Sequence, residues 1–235
     1  MRDVRAREAE VAGQIAGRTR SLLIGSTAAI GWAAFTMVIL HIVSSHDPVR
    51  DTISSYAITD RGGGMLEASV LSLAIGSLVL LGALLSSGAE PSRTARILLL
   101  GWASGLIVAA LFPASFTAST DPTSGKIHQY ASLIAFVSLP GVGYSLADRL
   151  REAPELARTR GLLLRLTALS VLSLAVFGLS YVAADFPHTP VLAQISDVLP
   201  VGLAQRLALL IDLALLVGLS LLAARTARLR QPEPG

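Results

Sequence analysis

Apolar residues run through this chain in six long stretches, at roughly 21–45, 65–87, 95–113, 127–147, 161–184 and 204–224, with short polar gaps between them. About 20 residues in helix, at about 1.5 Å each, cross the hydrocarbon core of a bilayer. The pattern predicts an all-α, polytopic membrane protein built as a six-transmembrane-helix bundle. Residues 1–20 form an N-terminal segment, 21–224 the membrane domain, and 225–235 a tail whose Gln231-Pro232-Glu233-Pro234-Gly235 end reads as disordered.

The gaps are of two kinds, and they alternate. Fifteen of the 19 Lys and Arg residues lie in or beside the N-terminal segment, the second and fourth gaps and the C-terminal tail, whereas Arg50, Arg61, Lys126 and Arg206 belong to the other three gaps. All four His residues lie in or beside those three. Short loops rich in Lys and Arg stay in the cytoplasm, so both termini are expected inside and the His-bearing loops outside, in the cell membrane.

Composition agrees with the spans. Apolar residues make up 52% of the chain, charged residues 15%, and the mean hydropathy is +0.63. A soluble domain is far less apolar. Membrane lipids are therefore the expected surroundings, and topology accounts for the pI of about 9.8 without nucleic-acid binding. Cysteine is absent, which excludes disulfides, thiolate catalysis and Cys-ligated zinc. The first apolar run is longer than the 7–15 residues of a signal-peptide core, so it reads as an anchor. The Arg- and Glu-bearing N-terminal residues are expected as a short helix on the lipid surface.

Small residues recur at helix-packing spacing: Gly25 and Ala29, Ser72 and Gly76, Gly101 and Gly105. They let helices approach closely where lipid removes the usual apolar drive. Packing within one bundle is the expected role, and Gly101 to Gly105 is also the candidate contact for a homodimer.

Candidate chemistry lies in the His-bearing loops. The first runs from Ser44 to Ala57, where Asp47-Pro48 and the later Gly62-Gly63-Gly64 are turn chemistry. Ile53, Tyr56 and Ala57 at helical spacing suggest a short interfacial helix capped by Asp51 or Thr52, with Tyr56 at the headgroup level. In the second loop Pro113 ends the third span, Gly125 frees the turn into the fourth, and His128 stands one turn above Ser132. The third loop carries Tyr181, Asp185 and His188, with Phe186-Pro187 closing the fifth span as Phe112-Pro113 closes the third.

Three segments together resemble a known family: Asp47 to Ala57; Phe112-Pro113 followed by Gly125 and His128; and Gly202-Leu203-Ala204-Gln205-Arg206 opening the last span. They are similar, in order, to the membrane proteins grouped as domain of unknown function 998 (DUF998). The resemblance implies a bacterial or archaeal six-helix membrane protein and no established activity. Family members often carry Asp where this chain has Ser55 and Ser115, which leaves a shared acidic role in doubt.

Several readings follow for these loops. His41, Asp51, Asp121 and His128 are candidate metal ligands, and His with one or two carboxylates is the donor set of a hydrolytic zinc site with an open position for water. Ser54 as nucleophile with His128 as base, beside Asp121, is the catalytic alternative; no residue is assigned to an organic cofactor. Asp212 is the acidic residue well inside a span, with Gln205 on the same face. Proton or cation handling would use it, whereas a purely structural Asp212 would bond to Ser180 or Tyr181. Arg206 is placed to hold a lipid phosphate or a loop carboxylate. Lipid handling, small-solute or proton transport, and a non-catalytic role beside another membrane protein are the three functional classes that remain.

Overall fold

A computed structural model of the chain describes residues 2–58, 62, 64–114, 121–186 and 188–230, with side chains from residue 13 onward apart from Ile58. Seven α-helices are described: α1 (Arg2–Val43), α2 (Met65–Ser87), α3 (Arg93–Leu111), α4 (Pro122–Arg149), α5 (Ala157–Asp185), α6 (Pro190–Val198) and α7 (Val201–Leu229). Six are long and apolar enough to cross a membrane, and among the described residues there are no strands. Large apolar side chains such as Trp32, Phe35, Ile42, Leu133 and Val217 are more than half exposed on the helix flanks. Water would not tolerate that much open apolar surface, but lipid tails do.

The helices outrun the apolar windows, because a helix ends at its cap rather than at the lipid boundary. Left-handed glycines bound α2: Gly64 at φ 79° and Gly88 at φ 85°, a conformation that only Gly adopts without strain. Ser92 caps α3 by accepting from the Ala95 N–H (3.0 Å). Asp121 caps α4 through the Thr123 N–H (3.1 Å), so this helix starts at Pro122 and encloses Gly125, which was expected in the turn. The N-terminal segment is not a separate surface helix. It continues into the first span as one helix of 42 residues, about 63 Å at 1.5 Å per residue, with no Pro or left-handed Gly to interrupt it. Helix α6 was not foreseen; it is a nine-residue element packed on α5, too short to span. The tail from Gln231 onward lies outside the described residues, as does Ser115.

Successive helices pack as neighbours, α1 on α2, α3 on α4 and α5 on α7, and α7 also reaches α1, α2 and α4. Serine hydroxyls stitch α1 to α2: Ser26 donates to the Gly76 carbonyl (2.8 Å), Ser69 to Ala33 (2.7 Å) and Ser72 to Ala29 (2.9 Å). Close approach makes those bonds possible, since a Cβ on Gly76 would lie 2.8 Å from Ile30. Gly105 faces α4 so closely that a Cβ there would meet the Ala131 carbonyl at 2.6 Å. The Gly101 to Gly105 motif is thus occupied inside the chain. Trp102, in its middle, donates from Nε1 to Ser77 (2.9 Å) and ties α3 to α2.

Candidate functional site

The loop after α1 folds on itself before it meets anything else. Asp47 Oδ1 accepts from the Val49 N–H (2.8 Å), and Asp51 Oδ2 accepts from the Asp47 N–H (2.9 Å), a pair of side-chain turns. The 3₁₀-helix Ile53–Ile58 follows. Its first N–H, on Ile53, is satisfied by neither Asp51 nor Thr52. It donates to Gln205 Oε1 of α7 (2.6 Å).

Arg206, the next residue, clamps the same loop. Its Nη1 donates to the Asp51 carbonyl (2.7 Å) and to Gly202 (2.9 Å), its Nη2 to the Tyr56 hydroxyl (2.9 Å), and its Nε to His41 Nε2 (2.7 Å). His41 Nδ1 meets the Met37 carbonyl at 2.7 Å, and a carbonyl only accepts, so Nδ1 carries the proton and Nε2 accepts from Arg206. His41 is therefore a neutral imidazole with both nitrogens engaged. Tyr56 is 1% exposed, far from the headgroup position expected of it, and is held edge-on between His41 (5.0 Å) and His46 (5.3 Å). His46 in turn meets Asp51 Oδ2 at 3.3 Å. The partners of the Arg206 guanidinium are neutral, so its charge is spread over fixed dipoles rather than cancelled by a carboxylate.

One glycine lets this happen. The loop crosses α7 at Gly202, where a Cβ would collide with the carbonyl of Asp51 and lie 2.7 Å from that of Val49. The Val49 carbonyl accepts from the Leu203 N–H (2.9 Å).

The clamped loop forms one wall of a cavity of about 490 Å³. Thr52 and Ser54 face it from the loop, Gln205 from α7, Lys126, His128, Gln129 and Ser132 from α4, and Tyr181 from α5. Leu133, Phe136, Leu174, Phe177 and Val182 line the rest. Phe136, Phe177 and Tyr181 form an aromatic ladder with ring centroids 5.7 and 6.1 Å apart. His128 Nδ1 donates to the carbonyls of Ala109 and Phe112 (2.9 Å each) at the end of α3, which leaves Nε2 as its remaining polar atom. Ser54 bonds the Thr52 hydroxyl (3.0 Å), and no hydrogen bond joins it to His128 among the described residues.

The candidate residues thus separate into groups. His41, Asp51, Tyr56 and Arg206 meet in the clamp; Ser54 and His128 share the cavity; Asp121 is the cap of α4; Asp185 and His188 are exposed at the end of α5 and in the turn beyond it. Among the described residues, no group of three or more His, Asp or Glu side chains is placed to hold a metal ion. Asp212 is buried and accepts from Ser170 of α5 (2.6 Å). Ser180, the partner expected for it, instead donates to the Leu199 carbonyl near the start of α7. Because α5 and α7 run antiparallel, a residue 11 positions into α7 meets α5 well before that helix's end. Gln205 as the loop's cap and Ser170 as the partner of Asp212 were missed. The available signal was a Gln-Arg pair at a span boundary, which must find partners to sit there.

Six apolar helices around a polar site at one end define a multi-pass α-helical membrane protein. The family model described as protein of unknown function (DUF998) matches residues 27–222, and the chain belongs to that family. The match takes in the clamp, the cavity and Asp212. No curated protein and no solved structure matches the chain.

Proposed function

We propose that the protein binds a membrane amphiphile in the cleft between α4 and α5, in the outer leaflet of the cell membrane, with the Arg-rich end and both termini in the cytoplasm. The observation that carries this reading is the two-part lining of the cavity. Hydroxyl, amide, ammonium and imidazole groups gather toward the loop, and aliphatic and aromatic side chains follow the helices into the membrane. A volume of about 490 Å³ is in the range of small-ligand sites, and suits a headgroup with the first part of its chain. Leu133 and Val182 line the cleft and are also about half exposed on the helix flanks, as a lateral entrance for lipid requires.

The test is photocrosslinking in nanodiscs with a phospholipid carrying a diazirine near the glycerol. Adducts are expected on α4 and α5 peptides around Leu133 and Phe177, and to be lost in Gly178→Trp, which fills the cleft. Ile97→Trp, on the exposed flank of α3, controls for bulk at the lipid surface. Equal labelling of both variants and the unmodified protein sinks the proposal. Chemistry on the bound lipid has one foothold, the sharing of this cavity by Ser54 and His128. Turnover of an esterified lipid that disappears in both Ser54→Ala and His128→Ala would establish it.

A further inference from the structure

A second lipid site lies at the opposite end of the molecule, and it does not depend on the cleft just described. A groove of about 850 Å³ runs between the first half of α1 and the last turns of α7. Small residues open it: Gly17 on α1 faces Ala224 and Ala227 on α7, where larger side chains would have closed the helices over. Leu23, Ile24 and Ala28 line its deeper part, and Arg20 and Arg228 stand at its outer end.

The level of those two arginines follows from their neighbours. Thr19 shares a hydrogen bond with Ser86 (2.9 Å), and Thr226 donates to Ser87 (3.2 Å). Ser86 and Ser87 are the last residues of α2, just before its Gly88 cap, so Arg20 and Arg228 both lie where a span leaves the membrane. Leu23 to Ala28 then lie about one to two turns deeper, in the hydrocarbon. Neither arginine has an ion-pair or hydrogen-bond partner among the described residues, although Arg230 nearby pairs with Glu90 (3.4 Å). Arg228 also borders a neighbouring recess of about 620 Å³ with Arg158 and Arg225, where Glu155 is the acidic side chain.

We infer that this groove holds one anionic glycerophospholipid, with its phosphate between Arg20 and Arg228 and an acyl chain along Leu23, Ile24 and Ala28. Two unpaired cations at headgroup level, above an apolar channel of chain width, complement that ligand in both charge and depth. A zwitterionic lipid would bring a compensating cation toward Arg228 and its basic neighbours, so the site selects for net negative charge. Each basic residue near an anionic membrane surface is worth about 1 kcal/mol, so the pair supports a preference on the order of tenfold.

Native mass spectrometry of the full chain, released from nanodiscs of equal phosphatidylglycerol and phosphatidylcholine, reads this directly. The expected result is retention of one phosphatidylglycerol at about tenfold over phosphatidylcholine, reduced to near parity in Arg20→Gln/Arg228→Gln. It should persist in Arg93→Gln/Arg96→Gln, which removes the same charge from the same end at the start of α3. Ala28→Phe, which fills the deep part of the groove and leaves both charges, should also release the lipid. Added glycerol phosphate should not displace it, since a site for the free anion alone would not need the channel. Equal losses in the two arginine pairs, or retention in Ala28→Phe with displacement by glycerol phosphate, would overturn the inference.

Discussion

Replacing Gly202 by Ala is the smallest change that should free the loop over the cavity. The added methyl would meet the Asp51 carbonyl and lie 2.7 Å from that of Val49, both of them backbone atoms that cannot rotate away. Strain relieved in place costs about 1–3 kcal/mol. Relief by lifting the loop forfeits the Leu203–Val49 and Ile53–Gln205 bonds and the Arg206–Asp51 bond, at about 1 kcal/mol for each neutral one and about 1.5–3 for the charged one. The cheaper route wins. Ala also gains about 0.5–1 kcal/mol over Gly in a helix, which leaves a loss of about 1–2 kcal/mol. That loss falls on loop closure, and it corresponds to an increase of about 5- to 30-fold in the open population. Hydrogen–deuterium exchange in nanodiscs should show it as faster exchange of the Ile53 and Leu203 amides, with α2 to α5 unchanged. Gly161→Ala, whose Cβ would meet nothing within 4 Å, is the matched control and should leave exchange in the loop as it was. Exchange in Gly202→Ala that matches the unmodified protein would falsify the idea that close backbone contact at Gly202 holds the loop.

Other outcomes follow from the same contacts. Arg206→Lys should loosen the loop nearly as much as Arg206→Met, because a single ammonium cannot span His41, Tyr56 and the Asp51 carbonyl at once; full rescue by Lys would show that charge alone matters. Ser170→Ala should lower stability by about 1–3 kcal/mol in a detergent melt by stripping buried Asp212 of its hydroxyl, whereas Asp212→Asn retains an acceptor and should lose less. An unchanged melt for Ser170→Ala would count against that bond. Gly105→Ala should destabilise more than Gly101→Ala, since the first drives a methyl at the Ala131 backbone and the second at the movable Ser138 hydroxyl (3.1 Å); equal melts would mean that α3 and α4 are not closely packed. Protein purified without chelators should hold zinc below one per chain. Stoichiometric zinc lost in His41→Ala would mean that His41 leaves Arg206 to become a ligand.

The linear sequence was enough to determine the number and placement of the spans, because each apolar run is long enough to cross a bilayer whatever packs around it. The alternation of Arg-rich and His-bearing gaps likewise needs no tertiary contact to be read. The family, too, was legible from Asp47 to Ala57, Phe112-Pro113 and Gly202 to Arg206. The grouping of the polar residues was not. Tyr56 reads as an interfacial aromatic until α7 brings Arg206 beneath it, and His41 reads as a metal ligand until Met37 and Arg206 take both of its nitrogens. Gln205 caps a helix 152 residues away in sequence, and Asp212 meets Ser170 rather than Ser180, because the register of α5 against α7 sets their relative depth. Spans are decided one segment at a time by transfer into lipid, which each sequence window carries in itself. A site is decided by which faces of separate helices close on one another, and only the packed bundle contains that information.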